Sequence, residues 1–185
     1  MILTNNVSRE TLFVFVYGGV FTLESIFAPW RMTYIADANK QKTCIFCEFP
    51  KKNEDEKNLI LHRGTTCFII CNAFPYNPGH LMVAPYRHTA VYEELFDEEL
   101  LEMHRLGGVC LKVLKKVMHP QGFNLGINLG KVGGAGFDGH LHLHIVPRWN
   151  GDTNFMPVLA ETRVIAESLQ QTYKRLRDEW PLNDC

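Results

Sequence analysis

A chain of 185 residues, 46% of them hydrophobic, is long enough to bury one sizeable core and too short to suggest two. Its formal charge of −1 excludes a general nucleic-acid or membrane-surface binder, because both need clustered positive charge against phosphates, so any phosphate site must be local. Six cysteines in a chain that can fold without disulfides read as reduced thiols, which points to the cytoplasm.

Residues 1–26 carry the least information. Leu12 to Leu23 is apolar, but Gly18 and Gly19 interrupt it and Glu24 ends it, short of the ~20 residues that a spanning helix needs. Only Arg9 precedes the run and Glu10 offsets it, unlike the basic start of a signal peptide. The stretch is expected to be a poorly ordered extension. Domain-like patterning starts at Phe27-Ala28-Pro29-Trp30-Arg31, and residues 27–185 are expected to form a single domain.

Cys44-Ile45-Phe46-Cys47 follows, then a charged stretch from Lys51 to Lys57 that reads as a solvated loop. Two cysteines at this spacing suit a tetrahedral zinc, and equally suit two half-buried free thiols; a metal would need two more ligands from elsewhere. Leu59 to His62 and Thr65 to Asn72 are rich in strand-forming residues. Ala73 to Gly79 is a turn cluster, and His80 to Ala84 reads as the returning strand of a hairpin. Asn72 and His80 fall at the hairpin's two edges, where side chains can face a ligand or can simply shape the turn.

Asp97 can cap a helix with Glu98 and Glu99 in its first turn. Leu100, Met103, Leu106, Cys110, Leu114 and Val117 recur at helical spacing, and Pro120 stops the run, so an amphipathic helix lying on a sheet is expected. His104 reads as a surface residue. Phe123 to Leu129 alternates as a strand, with Asn128 near its exit. A last helix is expected from about Thr162 to Arg177, with Ile165, Leu169, Tyr173 and Leu176 on one face.

The most informative stretch is His140-Leu141-His142-Leu143-His144-Ile145-Val146-Pro147. In a strand, alternate side chains face opposite ways, so the imidazoles share one side and Leu141, Leu143 and Ile145 pack on the other. Pro147 is expected to mark the strand's end. The preceding Lys131 to Gly139 is glycine-rich and leaves backbone N–H groups open to an anion. A neutral imidazole can attack phosphorus and split one displacement into two through a nucleotidyl-histidine. His142, the middle one, suits that role; His140 and His144 can orient it and donate hydrogen bonds, and the N–H groups of Ala135, Gly136, Phe137 and Asp138 can stabilise the phosphoryl oxygens. Two other classes compete. One is a zinc hydrolase that ligates metal with all three histidines and uses Asp138 as base; the other is a nucleotide-binding module without useful turnover.

The His-φ-His-φ-His-φ-φ run, with Asn72, Pro78-Gly79-His80, the helix from Asp97 and the glycine loop in order, resembles the histidine triad (HIT) superfamily of nucleotidyl hydrolases and transferases. Trp30-Arg31-Met32-Thr33-Tyr34, Tyr76-Asn77-Pro78-Gly79-His80, Pro147-Arg148-Trp149 and Gly151-Asp152-Thr153-Asn154-Phe155 are similar to its bacterial branch, which includes diadenosine tetraphosphate phosphorylases. The resemblance covers about residues 27 to 180 and implies an α+β fold with a HIT-like antiparallel β-sheet, one long helix and one C-terminal helix. It implies His142 as nucleophile, His144 on the bridging or non-bridging oxygens, and Asn72 and Asn128 on the nucleotide. It implies structural zinc on Cys44, Cys47, His88 and His140, and a homodimer. Diadenosine tetraphosphate is the substrate it favours, with inorganic phosphate or water as acceptor and a slight lean to phosphate. The family often carries Ser, Thr or Gln four residues before the first histidine; here that position is Gly136, which leaves the leaving group without that side chain.

Overall fold

The computed structural model describes residues 12–16, 19–23, 43–152 and 168–181. Leu12–Val16 (β1) and Gly19–Leu23 (β2) pair antiparallel as a hairpin within the stretch expected to lack order. The expected domain start at Phe27, the Trp30 to Tyr34 motif and the first part of the last expected helix lie outside the described residues.

Two short helices, Ile45–Glu48 (α1) and Asp55–Asn58 (α2), precede the sheet. The second interrupts the charged stretch expected to be loop, and Lys57 and Glu54 pair along it. The strands are Ile60–Arg63 (β3), Cys67–Cys71 (β4), Leu81–Pro85 (β5), Gly122–Ile127 (β6) and Leu143–Arg148 (β7), in the order β3-β4-β5-β7-β6 with every neighbour antiparallel. The long helix α3 spans Asp97–Met118, and α4 spans Leu169–Asp178. The α+β architecture expected from the sequence is present. Among the described residues no helix is long and apolar enough to cross a membrane.

The sheet separates two cores, as alternation along its strands requires. One face carries Leu61, Cys67, Ile69, Cys71, Leu81, Val83, Leu143 and Ile145 against Met103, Leu106, Cys110, Val113 and Leu114 of α3. The other carries Ile60, Phe68, Ile70, Met82 and Ala84 with Phe46 of α1. The histidine row lies on this second side.

Local corrections have identifiable causes. Asp97 is the first helical residue of α3, because Glu99 Oε2 accepts from Phe96 N–H and makes Phe96 the cap position. Ser168 caps α4 by accepting from Gln171 N–H, so that helix begins at Leu169, and residues 162–167 of the expected helix are not described. Pro147 stands inside β7 opposite Phe123, beyond Ile145 where pairing with β5 stops. Its missing donor therefore costs no bond to β5, and its carbonyl accepts from Asn77 Nδ2 at 3.0 Å.

Edge strand β3 is capped by α4: Tyr173 OH donates to the Ile60 carbonyl at 3.1 Å and Arg177 Nη1 to the Leu61 carbonyl at 2.6 Å. At the β3–β4 turn, the Glu102 carboxylate accepts from Thr65 N–H, Thr66 N–H, the Thr66 hydroxyl and Cys67 N–H. A Cβ at Gly64 would meet Glu102 Oε1 at 2.6 Å, so the turn closes around that carboxylate only with glycine there. Gly79, at φ +76°, turns the β4–β5 connection where a Cβ would meet Met118 Sδ at 2.6 Å.

Burial alone would raise the Glu102 pKa; the hydrogen bonds from Thr66, Thr65 and Cys67 outweigh it and hold the carboxyl below its ordinary value. Its contribution is thus present above the ordinary carboxylate range and lost as pH falls through the lowered value. Glu102→Ala is expected to cost about 2 kcal/mol and lower the melting temperature by roughly 5 °C at neutral pH. Thermal unfolding at descending pH should show the gap to the unsubstituted protein closing; a gap that persists unchanged at pH 2 contradicts the carboxylate account.

Candidate active site and metal centre

His140, His142 and His144 all sit on the sheet face away from α3, as alternation predicts, and all are buried. Regular pairing begins only at Leu143, however, so His140 and His142 precede β7 proper. Leu141 N–H donates to the Thr89 carbonyl at 2.7 Å, which extends the strand by one anchor.

The first imidazole belongs to a second cluster. Cys44, Cys47, His88 and His140 bring one potential ligand atom each to within 4.8 Å of all the others. Cys44 Sγ lies 3.3 Å from His140 Nδ1, Cys47 Sγ 3.3 Å from His88 Nδ1 and 3.6 Å from His140 Nδ1, and the two Nδ1 atoms are 3.3 Å apart. A tetrahedron with ordinary zinc–sulfur and zinc–nitrogen lengths has edges of about 3.3 to 3.8 Å, so the four atoms fit a metal at their centre. His140 Nε2–H donates to the Pro85 carbonyl at 2.9 Å, fixing the tautomer that turns the Nδ1 lone pair into the cluster. Burial pushes the His140 pKa down to about 4, against the pull of the Pro85 carbonyl, and pushes the Cys44 thiol up to about 11. A bound cation would supply the charge that a buried thiolate otherwise lacks.

The second imidazole has a different partner. His142 Nδ1–H donates to the His140 carbonyl at 2.8 Å, placing the lone pair on Nε2. Nε2 has no hydrogen-bond partner among the described residues. Burial holds the ring's pKa below its ordinary value, more than the His140 carbonyl raises it. Phe46 stacks on the ring with centroids 4.7 Å apart and planes at 26°.

The third imidazole is held by a fourth. Tyr76 N–H donates to His80 Nδ1 at 3.1 Å and Asn72 Nδ2 lies 3.3 Å from the same atom, so the neutral His80 carries its proton on Nε2. That Nε2–H donates to His144 Nδ1 at 2.9 Å, which leaves the His144 proton on Nε2. The sequence placed His80 at the ligand; instead it is 1% exposed and backs His144. Asn128 Nδ2 donates to the Gly134 carbonyl at 3.2 Å and lies 3.5 Å from His144 Nε2, which brings the glycine loop up beside the row. Asn72 sits on the other side of His80, and its Oδ1 accepts from Phe74 N–H at 2.9 Å.

Of the four loop amides expected to face an anion, Ala135 N–H is engaged by the Gly130 carbonyl at 3.2 Å. Gly136, Phe137 and Asp138 make no such bond among the described residues. The three-histidine zinc arrangement does not form: each imidazole of the row turns its Nδ1 to a different partner, and only His140 joins the metal cluster. Sequence reasoning missed Phe46 as the ring over His142 and Tyr76, which stacks on His144 at 5.8 Å. An aromatic between two candidate metal ligands was the available signal for the first.

Comparisons with known proteins accord with this geometry. The HIT domain family model matches residues 52–151. The chain is 39% identical over 166 residues to a Mycobacterium tuberculosis protein named AP-4-A phosphorylase, with 85% of each covered. It is 33% identical over 109 residues to a HIT-like protein of Methanocaldococcus jannaschii, covering 59% of this chain and 81% of that one. Among solved structures, a histidine triad nucleotide-binding protein from Sulfolobus tokodaii superposes with a TM-score of 0.58 at 24% identity, over 74% of this chain and 88% of the other. A zinc-bound histidine triad protein from Mycobacterium smegmatis gives 0.54 at 22% identity, over 81% and 94%. The two structures speak to the fold, and the family model together with the mycobacterial relative establishes that this chain belongs to the HIT family.

Proposed function

We propose that the protein cleaves dinucleoside polyphosphates, diadenosine tetraphosphate foremost, through a covalent nucleotidyl-histidine on His142. The carrying observation is the His142 tautomer: with Nδ1–H spent on the His140 carbonyl, the Nε2 lone pair is left to act as the nucleophile. That lone pair attacks the α-phosphorus, the bond from phosphorus to the bridging oxygen breaks, and the electron pair departs on the nucleoside triphosphate. His144 Nε2–H donates to the departing oxygen, with His80 behind it stabilising the donor. The N–H groups of Gly136, Phe137 and Asp138 receive the charge on the non-bridging oxygens. Asn72 and Asn128, at the two ends of the row, meet the nucleotide. In the second step an oxygen of inorganic phosphate attacks, the phosphorus–nitrogen bond breaks, and ADP leaves; water in that place would release AMP. Phosphorolysis is favoured by the 39% identity to the mycobacterial AP-4-A phosphorylase.

Zinc is the metal we assign to the cysteine–histidine cluster. Two thiols and two imidazoles leave no open position for a reacting water, so the ion would fasten α1 to the His140 segment. The superposable zinc-bound mycobacterial structure agrees with that choice. We also propose a cytoplasmic homodimer of a single domain spanning 27–185, preceded by the 1–26 extension, with no nucleic-acid or membrane partner. The outer edge of β6 supports the dimer: it ends the sheet and leaves Leu125 and Leu129 about half exposed.

His142→Ala should abolish turnover, by 10³-fold or more, and leave the melting temperature within a few degrees. Mass added to the intact protein during turnover should vanish with the substitution; an adduct that persists places the nucleophile elsewhere. Because burial lowers the His142 pKa, the acid limb of kcat/KM should fall below the ordinary imidazole value near ~6.5. A limb at or above that value is inconsistent with a neutral, buried nucleophile.

Across a phosphate titration, ADP should rise at the expense of AMP; a ratio fixed at AMP makes the enzyme a hydrolase. Metal analysis should find one zinc per chain. Cys44→Ser should lose the zinc and several degrees of melting temperature, and an unchanged zinc content rules the site out.

A further inference from the structure

The reaction above expels a polyanion, and the row of imidazoles is poorly equipped to hold one. His140 and His142 each spend a ring N–H on a backbone carbonyl, of Pro85 and of His140 respectively. Between Asn128 and Arg148 the chain has only two fixed cations, Lys131 and Arg148. Arg148 is committed, with Nε 2.6 Å and Nη2 2.9 Å from the Asp152 carboxylate and Nη1 2.8 Å from Asn124. Lys131 is not. Its Nζ stands 4.0 Å from Asp138 Oδ2, while the other described ion pairs close to between 2.6 and 3.1 Å. A pair at that distance, with both side chains well exposed, contributes little and costs little to break.

Position gives this loose pair its meaning. Lys131 opens the glycine turn, where its carbonyl accepts from Gly134 N–H at 3.0 Å. The Gly134 carbonyl in turn accepts from Asn128 Nδ2, the atom 3.5 Å from His144 Nε2. Lys131 is thus one tight turn and one amide group away from the imidazole that faces the departing oxygen. Asp138, at the far end of the loop, is two residues from His140. The pair spans the loop whose amides are assigned to the α-phosphate.

We propose that Lys131 is a specificity-determining residue that binds the distal phosphates of the departing nucleoside polyphosphate, with Asp138 as its resting counter-charge. The proposal rests on the nucleotidyl-transfer reading above and adds to it a recognition of chain charge. Substrate replaces one weak partner of the ammonium with several phosphate oxygens, and Asp138 is left to repel the chain unless Lys131 stays near. A lysine suits this task better than an arginine fork, since a compact charge on a flexible stem can follow chains of different length.

The test compares diadenosine tri-, tetra- and pentaphosphate with adenosine 5′-phosphoramidate, whose leaving group carries no phosphate. Lys131→Ala should raise KM for the tetraphosphate about tenfold, raise it at least as much for the pentaphosphate, and weaken the dependence of kcat/KM on ionic strength. On the phosphoramidate it should change kcat/KM less than twofold. Asp138→Asn should shift KM for the tetraphosphate the opposite way, downward, and Lys131→Arg should restore most of the loss. Equal losses on charged and uncharged leaving groups, or losses of the same sign for both variants, would mean that the pair merely shapes the loop and would overturn the proposal. Unchanged KM in both variants overturns it as well. If the unsubstituted protein forms no adduct on His142 with any of these compounds, the parent reading fails and this one with it.

Discussion

His140 is the residue on which the rest of the site depends, because its three polar groups face three different structures. Its Nε2–H is spent on the Pro85 carbonyl at the end of β5, its Nδ1 points among two sulfurs and a second imidazole, and its own carbonyl accepts the His142 proton. The end of β5, the cysteine–histidine cluster and the His142 ring are thereby linked through one side chain and its peptide. Each bond constrains the next: the Pro85 bond selects the tautomer, the tautomer makes the ring a ligand, and the anchored backbone directs the neighbouring imidazole.

Three chemically identical side chains acquire different work from what stands behind them. His142 has a carbonyl at its back and so presents a lone pair. His144 has an N–H donor at its back, from His80, and so presents a proton. The two rings have centroids 4.7 Å apart, so the proposed displacement at phosphorus would find a lone pair on one side of the breaking bond and a donor on the other. Burial suits the role proposed for His142, since it disfavours the imidazolium that would take up the Nε2 lone pair.

The fold was legible in the sequence wherever a local pattern is also the tertiary one. The long helix shows its apolar stripe at Met103, Leu106, Cys110 and Leu114, and those residues form its buried face. The shared face of the histidines and the opposite face of Leu141, Leu143 and Ile145 follow from period two alone. The readings that shifted depend on partners far away in the chain. Pro147 looks like a strand end until one sees that β5 has already stopped pairing at Ile145. His80 looks like a ligand contact because its neighbours form a turn, and only the fold reveals that His144 lies 2.9 Å behind it. Ala135 counts as an anion donor on composition, but the turn it closes takes its proton for Gly130. The cluster of Cys44, Cys47, His88 and His140 follows from family resemblance, because no spacing rule links the cysteine pair to His88 and His140; geometry supplies the independent reason.

The same four-residue stretch that provides two sulfurs also provides Phe46, and this couples the metal centre to the chemistry in a way that neither element does alone. The ring is 2% exposed, stacks on His142, and touches His140, Phe137 and Phe68. A single-turn helix such as α1 cannot hold its own conformation against chain entropy, and its backbone bonds to Cys44 and Ile45 carbonyls are few. Something external must keep that turn in place, and the cysteines at its two ends are the groups positioned to do so. If they are tied to His88 and His140, the aromatic ring between them is pressed onto the nucleophile and the water-excluding side of the site is complete. On the proposed reading a bound metal would support catalysis without touching substrate, by holding the turn whose phenyl ring stacks on His142.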